Sequence, residues 1–175
     1  MLDCAGVEYQ AIRPEVDEEE LKLGLTDPSE IAERLGIAKA VSVAGEWVIG
    51  SDSVVSSGGR IFSKPRDRDE AAEHLRSFSG KPMRLTSAVA LARGGVVDWS
   101  HVDTAVLEVR PLSENFISDY LDAEWPEVGY TVGVFRLEGR GVQLFDRIDG
   151  DYFTILGMPL IPLLGALRER ALVPA

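Results

Sequence analysis

The sequence has one cysteine among its 175 residues, Cys4. A single cysteine cannot form an internal disulfide or a zinc site of several cysteines, so a reducing compartment is the simplest interpretation. The amino terminus also lacks a basic region followed by a hydrophobic one, which is the pattern of a secretion signal. We therefore expect a cytoplasmic protein in which Cys4 is a small buried residue.

Long hydrophobic runs and an excess of basic residues are absent as well. No apolar run reaches the roughly 18 residues that a membrane span needs. Lysine and arginine total 18 against 29 aspartate and glutamate residues, which gives a net charge of −11. This charge argues against broad binding to nucleic acid or anionic lipid. A polyphosphate ligand would need local lysines, arginines or a divalent cation to offset the repulsion.

What the chain does contain is typical of a globular protein: 45% hydrophobic and 27% charged residues, in a length that suits one domain. Helix and strand patterns alternate irregularly, so we predict the α/β class with a mixed sheet. Helices are predicted over 29–43, 67–77, 112–122, 139–146 and 159–172. Strands are predicted over 7–13, 47–49, 60–62, 85–92, 96–109, 130–135 and 152–156.

The apolar run Trp47-Val48-Ile49 is followed by Gly50 and Asp52. The run predicts a buried strand that ends at Gly50. Asp52 would then lie at the carboxyl end of the strand, where open α/β sheets place their ligands. Lys64 follows twelve positions after Asp52 and precedes a proline, which favours an extended conformation. A carboxylate beside a cation suits chemistry at a phosphate, although an aspartate after a strand is also typical of a turn or helix cap.

Lys39 lies at the edge of the apolar face of the helix predicted over 29–43, a face that contains Ile31 and Leu35. Two interpretations stay open for it. It is either a surface lysine whose stem covers apolar surface or a lysine that points over the end of the sheet. The acidic stretch at 17–20 is similarly either a solvated loop or part of a site. The two histidines stand apart, and we predict His74 on a helix surface and His101 in a strand.

A series of short motifs extends along nearly the whole chain. They are Asp17-Glu18, Ala38-Lys39-Ala40, Gly50-Ser51-Asp52-Ser53, Lys64-Pro65, Ser79-Gly80, Ser87 with Val89-Ala90-Leu91, Glu138-Gly139, Gly150-Asp151-Tyr152 and Leu156-Gly157-Met158-Pro159-Leu160. In this order they resemble the Maf family of nucleoside triphosphate pyrophosphatases. The spacing of Asp52 and Lys64-Pro65 and the closing motif at 156–160 are the most specific of the set.

The resemblance implies an α/β fold with a mixed twisted sheet, flanking helices and two lobes around a central cleft, similar to that of inosine triphosphatases. It implies hydrolysis of a nucleoside triphosphate to the monophosphate and pyrophosphate, as a house-cleaning activity on nucleotides. A divalent cation is implied as cofactor, normally Mg²⁺ with Mn²⁺ as the alternative. Family members are often homodimers, so we expect a homodimer, with no nucleic acid or membrane as partner.

The resemblance also assigns roles to individual residues. Asp52 looks like the general base and a metal ligand, and Glu18 looks like its acidic partner, with Glu19 as the alternative register. Lys39 and Lys64 look like the cations that contact the polyphosphate. The motifs containing Ser87 and Glu138 complete the predicted substrate-binding set.

The amino terminus departs from the family pattern. Members normally open with a strand and a Ser-Ala-Ser-x-x-Arg loop that contacts the phosphates, and nothing here matches that loop. The segment 1–6 instead resembles the end of the helix that follows it, with Gly6 as a helix C-cap. We therefore expect a single Maf-like domain over 1–175 that lacks this strand and loop, either through a start placed too far downstream or through true loss. True loss would favour a catalytically impaired, nucleotide-binding regulator of cell division.

The base preference is open between two branches of the family. The segment 135–139, which ends in Glu138-Gly139, is more similar to the branch acting on 7-methyl-GTP, whereas the dTTP and UTP branch tends to carry Gln before this glycine. A carboxylate would suit a cationic methylated guanine, although Glu138 could simply hold backbone amides near Gly139. The motif Gly150-Asp151-Tyr152 favours the dTTP and UTP branch. We predict 7-methyl-GTP, with a dTTP- and UTP-preferring enzyme as the alternative.

Overall fold

A computed structural model describes residues 1–174 and contains one five-stranded sheet. The strands are β1 (Trp47–Ser57), β2 (Arg60–Phe62), β3 (Pro82–Arg93), β4 (Val96–Val109) and β5 (Phe145–Asp149), in the spatial order β2-β1-β3-β4-β5. The pairs β1–β2 and β4–β5 are antiparallel, with Val55 opposite Phe62 and Leu107 opposite Ile148. The α/β class predicted from the sequence is confirmed.

Six α-helices accompany the sheet in residues 1–174. They are α1 (Glu18–Lys22), α2 (Pro28–Ser42), α3 (Arg68–Phe78), α4 (Glu114–Glu124), α5 (Tyr152–Ile155) and α6 (Leu160–Glu169). Aspartate or serine caps begin most of them: Asp27 precedes Pro28 at the start of α2, and Asp67 Oδ1 accepts a hydrogen bond from Glu70 N at 2.8 Å. None of the helices within 1–174 has the length and apolar character needed to cross a bilayer.

The chain divides into two compact units. Unit 1 comprises Met1–Ser53, Thr86–Asp103 and Asp151–Ala175, and unit 2 comprises Val54–Leu85 and Thr104–Gly150. Strands β1, β3 and β4 each contribute residues to both units, so these long strands belong partly to one unit and partly to the other.

Unit 1 has two apolar clusters. Helix α6 buries Leu160, Leu163 and Leu167 with Val89 and Leu91 of β3. Helix α2 buries Ala40 against alanines of the same strand, Ala90 and Ala92. Small residues at this second contact allow the helix to approach the sheet closely, and this approach positions Lys39.

Gly50 is the point where α2 comes nearest to β1. A Cβ atom on Gly50 would lie 2.3 Å from Gly36 O and 2.4 Å from Ala40 N, so a larger residue would collide with the helix backbone. Gly50 does not end the strand, as the sequence analysis expected, because β1 continues to Ser57. Asp52 therefore lies inside β1 and not at its carboxyl end.

Unit 2 buries Phe62, Leu75 and Phe78 among other apolar residues, with the rings of Phe62 and Phe78 in an edge-to-face contact at 4.6 Å. His74 of α3 joins this core with only 6% exposure, and its ring lies 5.1 Å from that of Phe62. The prediction that His74 lies on a helix surface is wrong, because the short strand β2 brings Phe62 over that face of the helix. Cys4, predicted to be buried, is exposed.

Three predicted strands are wrong, each for a local reason. Residues 8–13 are exposed, including the apolar side chains of Tyr9 and Ile12, and they do not belong to the five-stranded sheet. At 130–135 the backbone takes positive φ at Gly133 (85°) and Val134 (59°), which a strand does not allow. At 152–156 the side chain of Asp151 accepts hydrogen bonds from Phe153 N and Thr154 N, and this cap begins helix α5.

The helix predicted over 139–146 is also only partly right. A 3₁₀ helix covers Arg140–Leu144, and strand β5 then begins at Phe145. Helices α2, α3, α4 and α6 and the strands β2, β3 and β4 agree with prediction within a few residues at each end, whereas α1 was not predicted. Gly6 caps the short helix Asp3–Ala5 at φ 70°.

Candidate active site

Lys39 and Asp52 form an ion pair in unit 1. The Lys39 Nζ to Asp52 Oδ1 distance is 2.5 Å, and the two side chains are only 18% and 14% exposed. Close packing at Gly50 accounts for this pair. Asp52 lies two residues beyond Gly50 on the same face of β1, and Lys39 directly precedes Ala40, one of the two helix residues that lie against that glycine. Of the two interpretations of Lys39, the structure favours a lysine directed at the sheet.

Glu18 completes a three-residue cluster. Its Oε1 lies 2.9 Å from Lys39 Nζ, so one ammonium group contacts two carboxylates. Asp17 begins helix α1 by accepting a hydrogen bond from Glu20 N at 3.1 Å, and this cap fixes the position of Glu18 in the first turn. Lys22, four residues after Glu18, lies 3.7 Å from Glu18 Oε2. Residues four apart in a helix lie on the same face, so the spacing of Glu18 and Lys22 could have identified Lys22 as a neighbour of the site from the sequence alone.

The environment alters the proton affinity of both members of the ion pair. Burial raises the pKa of Asp52, although the ammonium of Lys39 opposes this effect. Burial alone would lower the pKa of Lys39, but hydrogen bonds to Asp52 and Glu18 outweigh it, so the pKa of Lys39 is raised. A buried carboxylate with a raised pKa is a better proton acceptor than an exposed one.

Glu18 and Lys39 border an open hollow of about 850 Å³ in unit 1, and Asp52 directly follows Ser51, another residue of its wall. Residues 13–19 form much of its wall, together with Lys39 and Ser51. Arg13 is a second basic residue in this wall that the sequence analysis did not identify. No motif marked it, because it precedes the acidic stretch in an irregular segment.

Ser87, predicted to bind substrate, is fully buried within unit 1. Its hydroxyl donates to Thr154 O at 2.8 Å, and it lies 2.7 Å from the hydroxyl of Ser53. The hydroxyl oxygen of Ser51 lies 2.7 Å from Ala88 O and 2.7 Å from Gly157 O. These hydroxyls tie β1 to β3 and to the segment after α5 on the face of β1 opposite Asp52. The contacts of Ser87 are internal, and its substrate role stays a prediction.

Lys64 and Glu138 belong to unit 2, and both are exposed. Lys64 lies in the loop between β2 and α3, and Glu138 lies in a turn just before the 3₁₀ helix at Arg140. Near Glu138, the buried Glu124 accepts a hydrogen bond from Arg136 Nη2 at 3.1 Å. The roles of Lys64 and Glu138 towards a substrate stay predictions.

Asp52 and Glu18 fit a hard divalent cation. Such a cation takes oxygen ligands, and Mg²⁺ in particular is often held by one or two carboxylates with water and phosphate oxygens. The two carboxylates already share one cation, the ammonium of Lys39, so their oxygens converge. Within residues 1–174 no group of three or more histidine, cysteine, aspartate and glutamate side chains is arranged to hold a metal.

The fold and this cluster define an α/β protein with a carboxylate-lysine site, and comparison with known families agrees with the motifs. The family model described as "Maf-like protein" matches residues 1–170. The chain belongs to the Maf-like family.

Several curated proteins are similar to this chain over almost its full length. A 7-methyl-GTP pyrophosphatase of Rhizobium meliloti (strain 1021) is 46% identical over 183 aligned residues, which cover 100% of this chain and 92% of the relative. A nucleoside triphosphate pyrophosphatase of Sphingopyxis alaskensis is 44% identical, with 99% and 92% covered. A 7-methyl-GTP pyrophosphatase of Brucella suis biovar 1 is 42% identical, with 97% and 89% covered.

Proposed function

We propose that this chain hydrolyses nucleoside triphosphates to the monophosphate and pyrophosphate. The observation that carries the proposal is that Lys39 contacts both Asp52 and Glu18, at the edge of a hollow of unit 1 that Lys39 and Glu18 line. The names of its relatives, nucleoside triphosphate pyrophosphatase and 7-methyl-GTP pyrophosphatase, describe the same class of reaction.

The chemistry needs a base and positive charge at the same place. Water attacks the α-phosphorus, its proton passes to the carboxylate of Asp52, and the bond from the α-phosphorus to the bridging oxygen breaks as pyrophosphate departs. Asp52 suits this role because burial raises its pKa while it remains an acceptor with several lone pairs. Lys39 can stabilise the charge that develops on the phosphate oxygens. The predicted role of Lys64 is the same.

A divalent cation held by Asp52 and Glu18 belongs to this proposal, with Mg²⁺ as the first choice and Mn²⁺ as the second. When bound, the cation offsets the negative charge of the phosphates. This contribution matters in a chain with a net charge of −11, which on its own repels a triphosphate.

Replacement of Asp52 tests the proposal. We expect Asp52→Asn to lower kcat for pyrophosphate release by about a thousandfold, because a positioned base contributes roughly 10²–10⁴. Asp69→Asn, which alters an exposed carboxylate of α3, is the matched control and should keep the parent rate. Thermal unfolding of each variant checks the fold. A folded Asp52→Asn variant whose turnover is within tenfold of the parent would remove Asp52 from the mechanism.

We further propose 7-methyl-GTP as the preferred substrate. Support comes from the Glu138-Gly139 motif and from the printed names of two relatives described above. A carboxylate can pair with the positive charge and N–H donors of a methylated guanine. Measured side by side, kcat/KM should be at least tenfold higher for 7-methyl-GTP than for GTP, UTP and dTTP. If UTP or dTTP exceeds 7-methyl-GTP tenfold, the alternative branch is correct.

A further inference from the structure

The ammonium group of Lys39 contacts one oxygen of each of the two carboxylates that a metal would need. Its Nζ lies 2.5 Å from Asp52 Oδ1 and 2.9 Å from Glu18 Oε1, in a pocket where Lys39 and Asp52 are largely shielded from water. Low exposure strengthens these charge pairs, because solvent screens them less than it screens a surface pair. Lys39 is therefore a built-in counter-ion for the two carboxylates.

A divalent cation and this ammonium cannot both keep their full contacts. Mg²⁺ binds its oxygen ligands at about 2.0–2.1 Å, and an ammonium group on the same oxygens would bring two positive centres into close repulsion. Entry of the metal alone must therefore break the two contacts of Lys39 and leave its charge half-buried with no replacement partner. The free energy of that step subtracts from metal affinity.

A triphosphate removes this cost. Lysine has a flexible stem and three donors, so Lys39 can exchange carboxylate oxygens for phosphate oxygens without leaving the site. The metal then takes the released carboxylates while the ammonium stays paired. Because coupling between two ligands is reciprocal, a nucleotide that favours metal binding is itself favoured by the metal.

We infer that Lys39 is an exchangeable internal cation that keeps the metal site weak until a nucleotide triphosphate enters with the metal. The inference rests on the proposed function for the identity of the nucleotide, but the competition between Lys39 and a divalent cation stands on the contacts alone. Lys39 thus has a second role beyond contacting phosphate: it makes metal and substrate bind together.

The test measures metal binding by the full chain without nucleotide. Mn²⁺ is the probe, and electron paramagnetic resonance gives the free concentration during a titration. We expect Lys39→Met to bind Mn²⁺ at least tenfold more tightly than the parent chain. The gain should disappear in the Lys39→Met, Asp52→Asn double variant, because one of the two carboxylates is then lost.

Lys22→Met is the matched control for this experiment. It removes an equal charge from the same neighbourhood, but Lys22 pairs with Glu19 at 3.2 Å and with Glu18 at 3.7 Å and does not bridge Glu18 to Asp52. We expect its Mn²⁺ affinity to change by less than threefold. A gain as large as that of Lys39→Met would mean that general electrostatics, and not the bridging contact, governs affinity, and would overturn the inference.

Two further measurements keep the result interpretable. If Lys39→Met does not fold, Lys39→Gln, which keeps a polar chain of similar length, replaces it. Thermal unfolding then provides a second readout, because a ligand that binds only the folded chain raises Tm. Mn²⁺ should raise the Tm of the Lys39 variant more than that of the parent.

The inference and the proposed function fail separately. Unchanged or weaker Mn²⁺ binding by a folded Lys39 variant overturns the inference even if the parent hydrolyses nucleotides. Tighter Mn²⁺ binding in a variant whose parent releases no pyrophosphate from any triphosphate supports the inference and overturns the function.

Discussion

At the scale of single residues, Asp52 and Lys39 owe their properties to where the backbone places them. Each is an ordinary side chain in the sequence, and pairing in a shielded position gives them altered proton affinities. The pair is built from two segments thirteen residues apart, joined by one turn of chain between α2 and β1. The absence of a side chain at Gly50 lets the helix that carries Lys39 lie against the strand that carries Asp52.

His74 offers a prediction on pH at this scale. Burial lowers the pKa of His74, and the nearby Arg60 lowers it further while Glu70 and Glu73 oppose. At this histidine the unfolded chain therefore binds a proton more readily than the folded chain. The contribution of neutral His74 to stability is fully present above the ordinary histidine pKa and is lost as pH falls through the lower pKa of the folded chain. Urea unfolding should show that the free energy of unfolding falls more between pH 7.5 and pH 5.5 for the parent chain than for His74→Leu. Equal losses would show that His74 is not the titrating group.

The site could be predicted from the sequence only in part. The motifs identified Asp52, Glu18 and Lys39 as a set, and the structure brings these three together. Arg13 and Lys22 were missed, since neither lies in a motif. Ser87 was selected for its motif, but side-chain burial depends on long-range packing that no local pattern encodes.

At the scale of elements, the sequence predicted best where local signals and burial agree. Helix α3 combines the Asp67 cap with an apolar face, and the end of β4 alternates, with Ala105, Leu107 and Val109 buried. Failures occurred where a local backbone signal overrides hydrophobicity. Val134 is apolar but takes a positive φ, and the Asp151 cap converts an apolar run into helix α5. Glycine at position 50 was interpreted as a strand end when its role is close packing.

The contact at Gly50 gives a prediction for the α2–β1 pair. Gly50→Ala places a Cβ within 2.4 Å of backbone atoms on both Gly36 and Ala40, and backbone cannot rotate away as a side chain can. We expect a loss of about 3 kcal/mol in the free energy of unfolding, at the upper end of the cost of overpacking. Displacement of α2 should also separate Lys39 from Asp52 and lower hydrolysis.

Gly165→Ala is the matched control for this substitution. Gly165 lies within α6, and the nearest atom to its added Cβ would be Arg168 Nη2 at 4.0 Å. Alanine there should stabilise the chain by about 0.5–1 kcal/mol through helix propensity. Chemical denaturation measures both variants. Gly50→Ala with parent stability would contradict the close approach of α2 to β1.

At the scale of the whole molecule, negative charge dominates, and Lys39 offsets part of it within the three-residue cluster. The chain carries 29 acidic against 18 basic residues, yet Lys39 partly neutralises the carboxylates of the cluster without any metal. The apolar cores of both units are formed by aliphatic and aromatic side chains. A homodimer, expected from the family resemblance, stays a prediction.

Metal removal should therefore separate activity from stability. With EDTA in excess, we expect pyrophosphate release to stop, because no cation then offsets the charge of the triphosphate. Tm should change by less than about 2 °C, which corresponds to at most about 0.5–1 kcal/mol for a chain of this size. The reason is that Lys39 already holds Asp52 and Glu18 together in the metal-free fold. Differential scanning calorimetry with and without EDTA, followed by Mg²⁺ addition to restore turnover, makes the measurement. A fall in Tm of 5 °C or more on chelation would mean that the metal holds the fold together, since loss of a structural metal removes folding free energy directly.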